Sequence, residues 1–197
     1  MKTKHLDLGS GLNPRNPYDS SELYGIDIMD ESSVSADFVY KRSNLATQKI
    51  PYPDNFFNSV SAFDFFEHIP RTRLYDNDEM SFPFIELMNE IHRVLMDGGR
   101  LYAVTPCYPM PQAFNDPTHV NFIARDTHQY FCGKDCYGRN YGFNGYFTCL
   151  QSKRISTKLA KKGANVSFFD RAYDYKRKLQ GRWTHLLWEF EAHKKIG

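Results

Sequence analysis

The sequence predicts an α/β fold in which helices cover a largely parallel sheet. Residues 5–9 (HLDLG) alternate in polarity and stop at glycine, as a short strand does, and residues 23–28 (LYGIDI) form a second run of this kind. Farther along, residues 81–99 carry apolar side chains at helical spacing and lead directly into the apolar run 100–106. Strand, helix and strand in this order indicate parallel strands joined by helical connections.

The remaining elements of the first half follow the same kind of signal. Residues 36–40 (ADFVY) and 59–66 (SVSAFDFF) are predicted to be the third and fourth strands. The connection between the first two strands is short and contains two prolines, so any helix there must be very short. In the predicted helix, Ser81 can cap the start, Pro83 suits the first turn, and Gly98 and Gly99 are expected to end it.

The second half is dominated by an irregular stretch, residues 107–146, rich in proline, glycine, asparagine and aromatic residues. Such long segments are usually functional loops, so we expect a lid that determines substrate specificity, with one short helix near residues 125–131. Residues 146–155 and 182–193 are predicted to be closing strands, and residues 166–175 are expected to be a strand or a loop.

Composition limits the class of protein. The chain has 197 residues, of which 41% are hydrophobic, and its net charge is +2, so we expect one domain over residues 1–197 without an overall field that attracts nucleic acid. It contains neither a secretory signal nor an apolar run of about 18 residues that could span a membrane. The four cysteines have irregular spacing, so a cytoplasmic protein is expected. Whether it is a homo-oligomer stays open.

A glycine-rich turn and an acidic residue suggest a nucleoside-containing ligand. Asp7, Gly9, Ser10 and Gly11 follow the first strand, where an open parallel sheet has its binding crevice. Asp27 ends the second strand, 20 residues after Asp7, where a carboxylate can accept hydrogen bonds from both hydroxyls of a ribose.

These motifs resemble the class I S-adenosyl-L-methionine-dependent methyltransferases, especially the type 11 group. LDLGSG (6–11) is similar to the first motif of that family and GID (25–27) to its ribose-binding acid. More specific are the stretches IPYPDNFFNSVSAFDFFEHI (50–69) and EIHRVLMDGGRLYAVTP (90–106). The resemblance covers residues 6–106.

The resemblance implies a Rossmann-like, doubly wound sheet of seven strands, mostly parallel with an antiparallel final strand, here without cap helices before the first strand. It also implies that S-adenosyl-L-methionine lies over the carboxyl ends of the strands. Its amino acid end would be contacted by Asp7, Gly9, Ser10 and Gly11, and its ribose by Asp27. Ile28, Asn44 and Leu45 would contact the adenine, and Phe63 and Asp64 would face the sulfonium.

Two other functions compete with this one. A nicotinamide-dependent oxidoreductase would need a G-x-G-x-x-G turn that opens a helix, and Pro14 leaves no room for that helix. The second is a methyltransferase-like subunit that binds the cofactor weakly and serves another enzyme; measured binding of the cofactor would distinguish it.

Methyl transfer to a small molecule or sugar, with oxygen as the expected acceptor atom, is the predicted reaction. The enzyme must hold the nucleophile near the methyl group and remove a hydroxyl proton. Candidates for the base are Asp64, His68 and His119. His119, His128, Cys132 and Cys136 could together bind zinc, but no C-x-x-C pair supports this, so no metal site is predicted and the cysteines are expected in the core.

Overall fold

Seven strands form one sheet in the computed structural model, which describes residues 2–30, 37–162 and 167–194. In chain order its strands are β1 (Lys4–Leu8), β2 (Glu22–Asp27), β3 (Val39–Arg42), β4 (Phe57–Phe63), β7 (Leu95–Pro106), β8 (Phe147–Ile155) and β9 (His185–Ala192), while β5 (Arg73–Leu74) and β6 (Met80–Ser81) form a separate hairpin. The sheet order is β3-β2-β1-β4-β7-β9-β8. Strand β9 is antiparallel to both β7 and β8, and the other strand pairs of this sheet are parallel. This confirms the predicted fold class.

The strands agree with the predicted ones to within a few residues, except that β3 begins at Val39. Ala36, at the start of the predicted strand, lies outside the described residues. The central strands β1 and β4 are buried along almost their whole length, which is typical of parallel strands covered on both faces. Residues 9–21, all described, connect β1 to β2 through turns and contain no helix.

The main helix, α1 (Pro83–Val94), differs from the prediction at both ends. Ser81 was predicted to cap it, but Ser81 belongs to β6 and pairs with Arg73, so the helix starts without a side-chain cap. The helix also ends before the glycines, because Leu95 already pairs with Phe57 in the sheet. Pro83 occupies the first turn as predicted. The apolar face of α1 packs on the sheet.

Two helices follow β8: α2 (Thr157–Lys162) and α3 (Phe168–Leu179). The expectation of a strand or loop at residues 166–175 was therefore wrong over residues 168–175, while Val166 lies outside the described residues. Asp170 and Asp174 are among the buried residues of α3, whereas Phe168 and Phe169 are exposed, so the apolar pattern does not mark the helix. Ser167 and Asp170 form reciprocal hydrogen bonds at its start, and this capping arrangement stabilises the first turn. None of the helices in the described part of the chain is long and apolar enough to cross a membrane.

Residues 107–146 pack into the body of the domain. Three 3₁₀ helices, Pro111–Ala113, Arg125–Tyr130 and Tyr137–Tyr141, lie within this segment. Phe131 and Phe143 are fully buried and belong to the same core cluster as Trp188. The ring of Phe131 contacts that of Phe84 on α1 at a centroid distance of 5.4 Å. The segment thus completes the core on one face of the sheet.

Candidate functional site

A cavity of about 380 Å³ opens at the carboxyl ends of β1, β2 and β4. Predicted cofactor-binding residues from four separate stretches of the sequence line this one cavity, together with Phe65, His68 and Ile69. The predicted residues in its wall are Gly9, Asp27, Ile28, Asn44, Leu45 and Asp64.

The turn after β1 needs glycine for two physical reasons. Gly9 has φ +67°, a left-handed conformation that side chains disfavour, and an added Cβ would lie 2.7 Å from the ring of Phe65. Gly11 also has a positive φ, but the space around it is open. Gly9 therefore lets the chain pass close to Phe65 at the edge of the cavity.

Asp27 joins the turn after β1 to the end of β2. Its Oδ2 accepts a hydrogen bond of 2.9 Å from the backbone N–H of Gly11, and its Oδ1 accepts one of 2.7 Å from the N–H of Ile28. The N–H of Met29 donates a longer bond of 3.3 Å to the same Oδ1. A carboxylate has about four lone-pair sites, so these three bonds still leave Oδ2 able to accept a hydrogen bond from a ligand in the cavity.

Asp7 lies beneath the turn instead of in the cavity wall. Its Oδ1 accepts a hydrogen bond of 2.5 Å from Ser61 Oγ, and its Oδ2 accepts one of 2.8 Å from the N–H of Arg15. Burial raises the pKa of Asp7 to about 7, although both hydrogen bonds act in the opposite direction. The carboxyl group thus ties the chain after the turn to β4.

Three other predicted residues also lie outside the wall of the cavity: Ser10, Gly11 and Phe63. The hydroxyl of Ser10 donates to the carbonyl of Gly11. The ring of Phe63 packs against Tyr102, and the guanidinium of Arg15 lies 4.4 Å from its centroid.

Sequence reasoning missed His5, which is fully buried in β1. Its Nδ1 lies 2.7 Å from Ser59 Oγ and its Nε2 lies 2.8 Å from Ser61 Oγ. Because Ser61 donates to Asp7, these polar side chains form a continuous buried chain. Burial lowers the pKa of His5 to about 4. The detectable signal was the presence of polar residues at alternating positions of two otherwise apolar strands.

Glu67 lies after β4 in a 3₁₀ helix (Phe66–His68). The sequence predicts that it ties the start of a helix to the sheet, and it was not among the predicted site residues. Its side chain is buried; Oε2 accepts a hydrogen bond of 3.0 Å from Thr105 Oγ1. Oε1 is buried, has no hydrogen-bond partner among the described residues, and lies 4.0 Å from His119 Nε2. Burial raises the pKa of Glu67 to about 8, and the nearby charge of Asp64 acts in the same direction.

His68 and His119 lie next to each other, with ring centroids 4.9 Å apart. The Nδ1 of His119 lies 3.1 Å from the carbonyl of Ala113, so it carries the proton and donates. The Nδ1 of His68 lies 3.0 Å from Thr118 Oγ1, whose own proton goes to Asp116 at 2.6 Å. Both histidines therefore keep Nε2 as the free acceptor nitrogen.

Asp64, the third predicted candidate for the base, directly follows β4 in a left-handed conformation with φ 48°. Its side chain is half-exposed and lines the cavity. Nε2 of His185, at the start of β9, lies 3.4 Å from Asp64 Oδ1. The structure thus brings Asp64 and His68 to one cavity, with His119 packed against His68.

The residues weighed as a zinc site do not come together. Among the described residues, the group with metal-ligand spacing consists of Glu67, His68 and His119. Cys132 contacts Cys149, and burial is the main factor that raises the pKa of its thiol. Cys136 is buried in the core.

Part of the chain matches the model of a known protein family. A family model described as "Methyltransferase domain" matches residues 6–103, about half of the chain. No curated protein sequence is significantly similar to the chain.

Solved structures of similar fold are distant in sequence. YcgJ from Bacillus subtilis is 16% identical, with 98% of this chain and 93% of that chain covered and a TM-score of 0.56. A chain from the complex of the Haloferax volcanii Trm112 methyltransferase activator is 13% identical, with 98% and 83% covered and a TM-score of 0.61. An S-adenosylmethionine-dependent methyltransferase from Mesorhizobium loti is 12% identical, with 96% and 91% covered and a TM-score of 0.54. At these identities the likeness is one of fold.

Proposed function

Because the chain belongs to the methyltransferase domain family and uses S-adenosylmethionine as its methyl donor, we propose that it methylates a hydroxyl oxygen of a small molecule or sugar. The observation that supports this acceptor is the position of Asp64 and His68 in the wall of the same cavity as Gly9 and Asp27. The cavity therefore combines features suited to a nucleoside with groups that can take up a proton.

The residues of the cavity fit the donor. Its volume of about 380 Å³ lies within the range of small-molecule sites. Gly9 lets the backbone lie against Phe65 at the edge of the cavity, and Asp27 Oδ2 can accept a hydrogen bond from a ribose hydroxyl. Ile28 and Leu45 offer apolar surface to the adenine ring, and Asn44 offers an amide at its edge.

The predicted residues outside the cavity wall have an indirect role in this proposal. Asp7 and Ser10 hold the turn after β1 in shape, and Gly11 presents its backbone N–H to Asp27. Phe63 contributes the backbone at the end of β4, because its ring packs on the opposite side against Tyr102.

The donor supplies a methyl group on a positively charged sulfur. Asp64 offers a carboxylate at the cavity, which favours positive charge there. The acceptor hydroxyl has to lose its proton as its oxygen attacks, and Nε2 of His68 is the basic atom available for it, because Nδ1 donates to Thr118. His119 supports this role by its contact with the ring of His68.

The test uses S-adenosylmethionine with a deuterated methyl group and a panel of sugars, phenols, amines and carboxylic acids, with mass spectrometry to locate the label. We expect the label on the oxygen of a hydroxyl acceptor. Label found only on nitrogen or on carboxyl groups contradicts the proposal. Tight binding of S-adenosylhomocysteine without transfer to any acceptor supports a subunit that serves another enzyme.

A further inference from the structure

We propose that Glu67, His68 and His119 form a binding site for a divalent first-row transition metal ion beside the donor cavity. One ligand atom from each residue lies within 4.8 Å of the other two. Two imidazoles and one carboxylate are a ligand set that suits ions such as Zn²⁺, Co²⁺ or Fe²⁺ better than Mg²⁺ or Ca²⁺, which prefer oxygen ligands.

The buried oxygen of Glu67 points to a missing ligand. Glu67 is 1% exposed, and its Oε1 has no hydrogen-bond partner in the described part of the chain. A buried polar atom without a partner is unfavourable. This oxygen lies 4.0 Å from His119 Nε2. A small movement of the two side chains would let both atoms bind one ion. A metal ion between them satisfies both atoms.

Outer hydrogen bonds orient all three side chains for this role. The Nδ1 atoms of His68 and His119 donate to Thr118 and to the carbonyl of Ala113, which leaves each Nε2 free. Glu67 Oε2 accepts from Thr105, which leaves Oε1 free. Histidines that bind metals usually donate their other N–H to a carboxylate, a backbone carbonyl or water, and such partners tune the affinity.

The backbone holds the third ligand in place. The N–H groups of Val120 and Asn121 donate to the carbonyl of Glu67 at 2.9 and 3.0 Å. The side chain of Asn121 also donates to the carbonyl of Phe66 at 3.1 Å. His119 is therefore fixed to the two adjacent ligands even though it is distant in sequence.

Three protein ligands leave coordination positions open, as in catalytic metal sites. His68 also lines the donor cavity, so an open position is accessible to an acceptor there. When the metal is bound, Nε2 of His68 is one of its ligands and no longer acts as the base. The metal binds the acceptor hydroxyl and favours loss of its proton to water in the cavity instead. The oxygen forms a bond to the methyl carbon as the carbon–sulfur bond breaks. This role, which rests on the proposed function, makes the acceptor a hydroxyl compound able to coordinate a metal.

Metal binding is tested first without turnover. Untagged protein is treated with EDTA, desalted, and titrated with Co²⁺ by visible absorption and with Zn²⁺ by calorimetry. We expect one high-affinity site per chain. Glu67→Gln and His119→Ala should each weaken binding about 10-fold or more, and His128→Ala, a partly buried histidine outside the cluster, should bind normally. Mg²⁺ at the same concentration should not compete.

The proposal is overturned if wild-type protein binds neither ion stoichiometrically, or if Glu67→Gln and His119→Ala bind as wild type does. His68→Asn provides a further variant if one of these fails to fold by circular dichroism. Calorimetry with S-adenosylhomocysteine on the metal-free protein tests the proposed function separately. If this ligand binds and the metals do not, the metal site alone is rejected; if metals bind and this ligand does not, the donor site is rejected.

Discussion

The backbone N–H of Gly11 donates a hydrogen bond of 2.9 Å to Asp27 Oδ2, which joins the turn after β1 to the end of β2. One carboxylate thereby shapes the turn and lines the cavity in which we place the ribose of the donor. Replacement of Asp27 should therefore alter the conformation of the turn and weaken the binding of the donor.

Asp27→Ala is expected to weaken the binding of S-adenosylhomocysteine. Hydrogen bonds to a charged group contribute about 1.5–3 kcal/mol, so the dissociation constant should rise roughly 10- to 100-fold. Isothermal titration calorimetry measures this directly. Asp27→Asn, which keeps the shape but removes the charge, should give a smaller loss. Unchanged affinity in Asp27→Ala would exclude this placement of the ribose.

Gly9→Ala should lower stability and donor affinity more than Gly11→Ala does. Both glycines have positive φ, so an alanine at either position is strained by roughly 1–2 kcal/mol. Only at Gly9 would the new Cβ also meet Phe65, at 2.7 Å. Urea unfolding and calorimetry compare the two variants. Equal losses would indicate that the contact with Phe65 is relieved without cost.

His5 should make the free energy of unfolding depend on pH. Its pKa in the folded protein is about 4, below the ordinary value of 6.5, because burial disfavours the charged ring. The folded state therefore binds fewer protons than the unfolded state between these values. This contribution to stability is complete above pH 6.5 and is lost as the pH falls towards 4.

The raised pKa values of Asp7 and Glu67 make the free energy of unfolding decrease as the pH rises, which is opposite to the effect of His5. The contribution of His5 therefore has to be isolated with a variant. His5→Gln removes the titrating ring but keeps a hydrogen-bonding group. The difference in unfolding free energy between wild type and His5→Gln, measured in urea from pH 4.5 to 7.5, should increase with pH. A difference that is independent of pH would mean that His5 is not buried as a neutral ring.

Phe131→Ala should destabilise the domain strongly, because its ring is fully buried between α1 and β9. Loss of a buried phenylalanine costs about 3–5 kcal/mol. Tyr137→Ala, in the same segment but largely exposed, should change stability little. Urea unfolding compares the two. Similar, small effects would mean that residues 107–146 form a detachable lid instead of part of the core.

His119→Ala should reduce turnover more than donor affinity. His119 contacts His68 and faces Glu67, but it does not line the cavity. Once an acceptor is identified, kcat should fall at least about 10-fold, the lower range for a metal-site or proton-transfer defect. The dissociation constant for S-adenosylhomocysteine should stay near that of wild type. Retained turnover would remove His119 from the site, and His128→Ala serves as the control.

Much of the fold could be predicted from sequence because its signals are local. Apolar runs identify the buried strands, and the spacing of apolar residues identifies α1. The start of α1 was misjudged because Ser81 pairs with Arg73 in a hairpin, which is a non-local contact. Helix α3 was missed because it buries Asp170 and Asp174, so its buried side does not have an apolar pattern.

In the site, too, the features with local sequence signals could be predicted and those that depend on non-local contacts could not. Gly9 follows β1 and Asp27 ends β2, two strands that are recognisable in the sequence, and their closeness was expected from the geometry of a parallel sheet. The partnership of Glu67 with His119 could not be predicted, because it depends on the path of residues 107–119 across the sheet edge. His5 was overlooked because a buried histidine in a strand becomes meaningful only when Ser59 and Ser61 are seen opposite it.

The passage from β1 to β2 through turns has an electrostatic consequence. An α-helix that began after Gly11 would direct the positive end of its dipole, about half an elementary charge, at the cavity. Residues 9–21, all described, contain no such helix. The positive end of a helix from residues 9–21 is therefore missing there, while the carboxylates of Asp27 and Asp64 lie in the wall of the cavity. These carboxylates attract the cationic sulfonium of S-adenosylmethionine but not the neutral thioether of S-adenosylhomocysteine. At this end of the cavity, charge therefore favours replacement of the product by a new molecule of the donor.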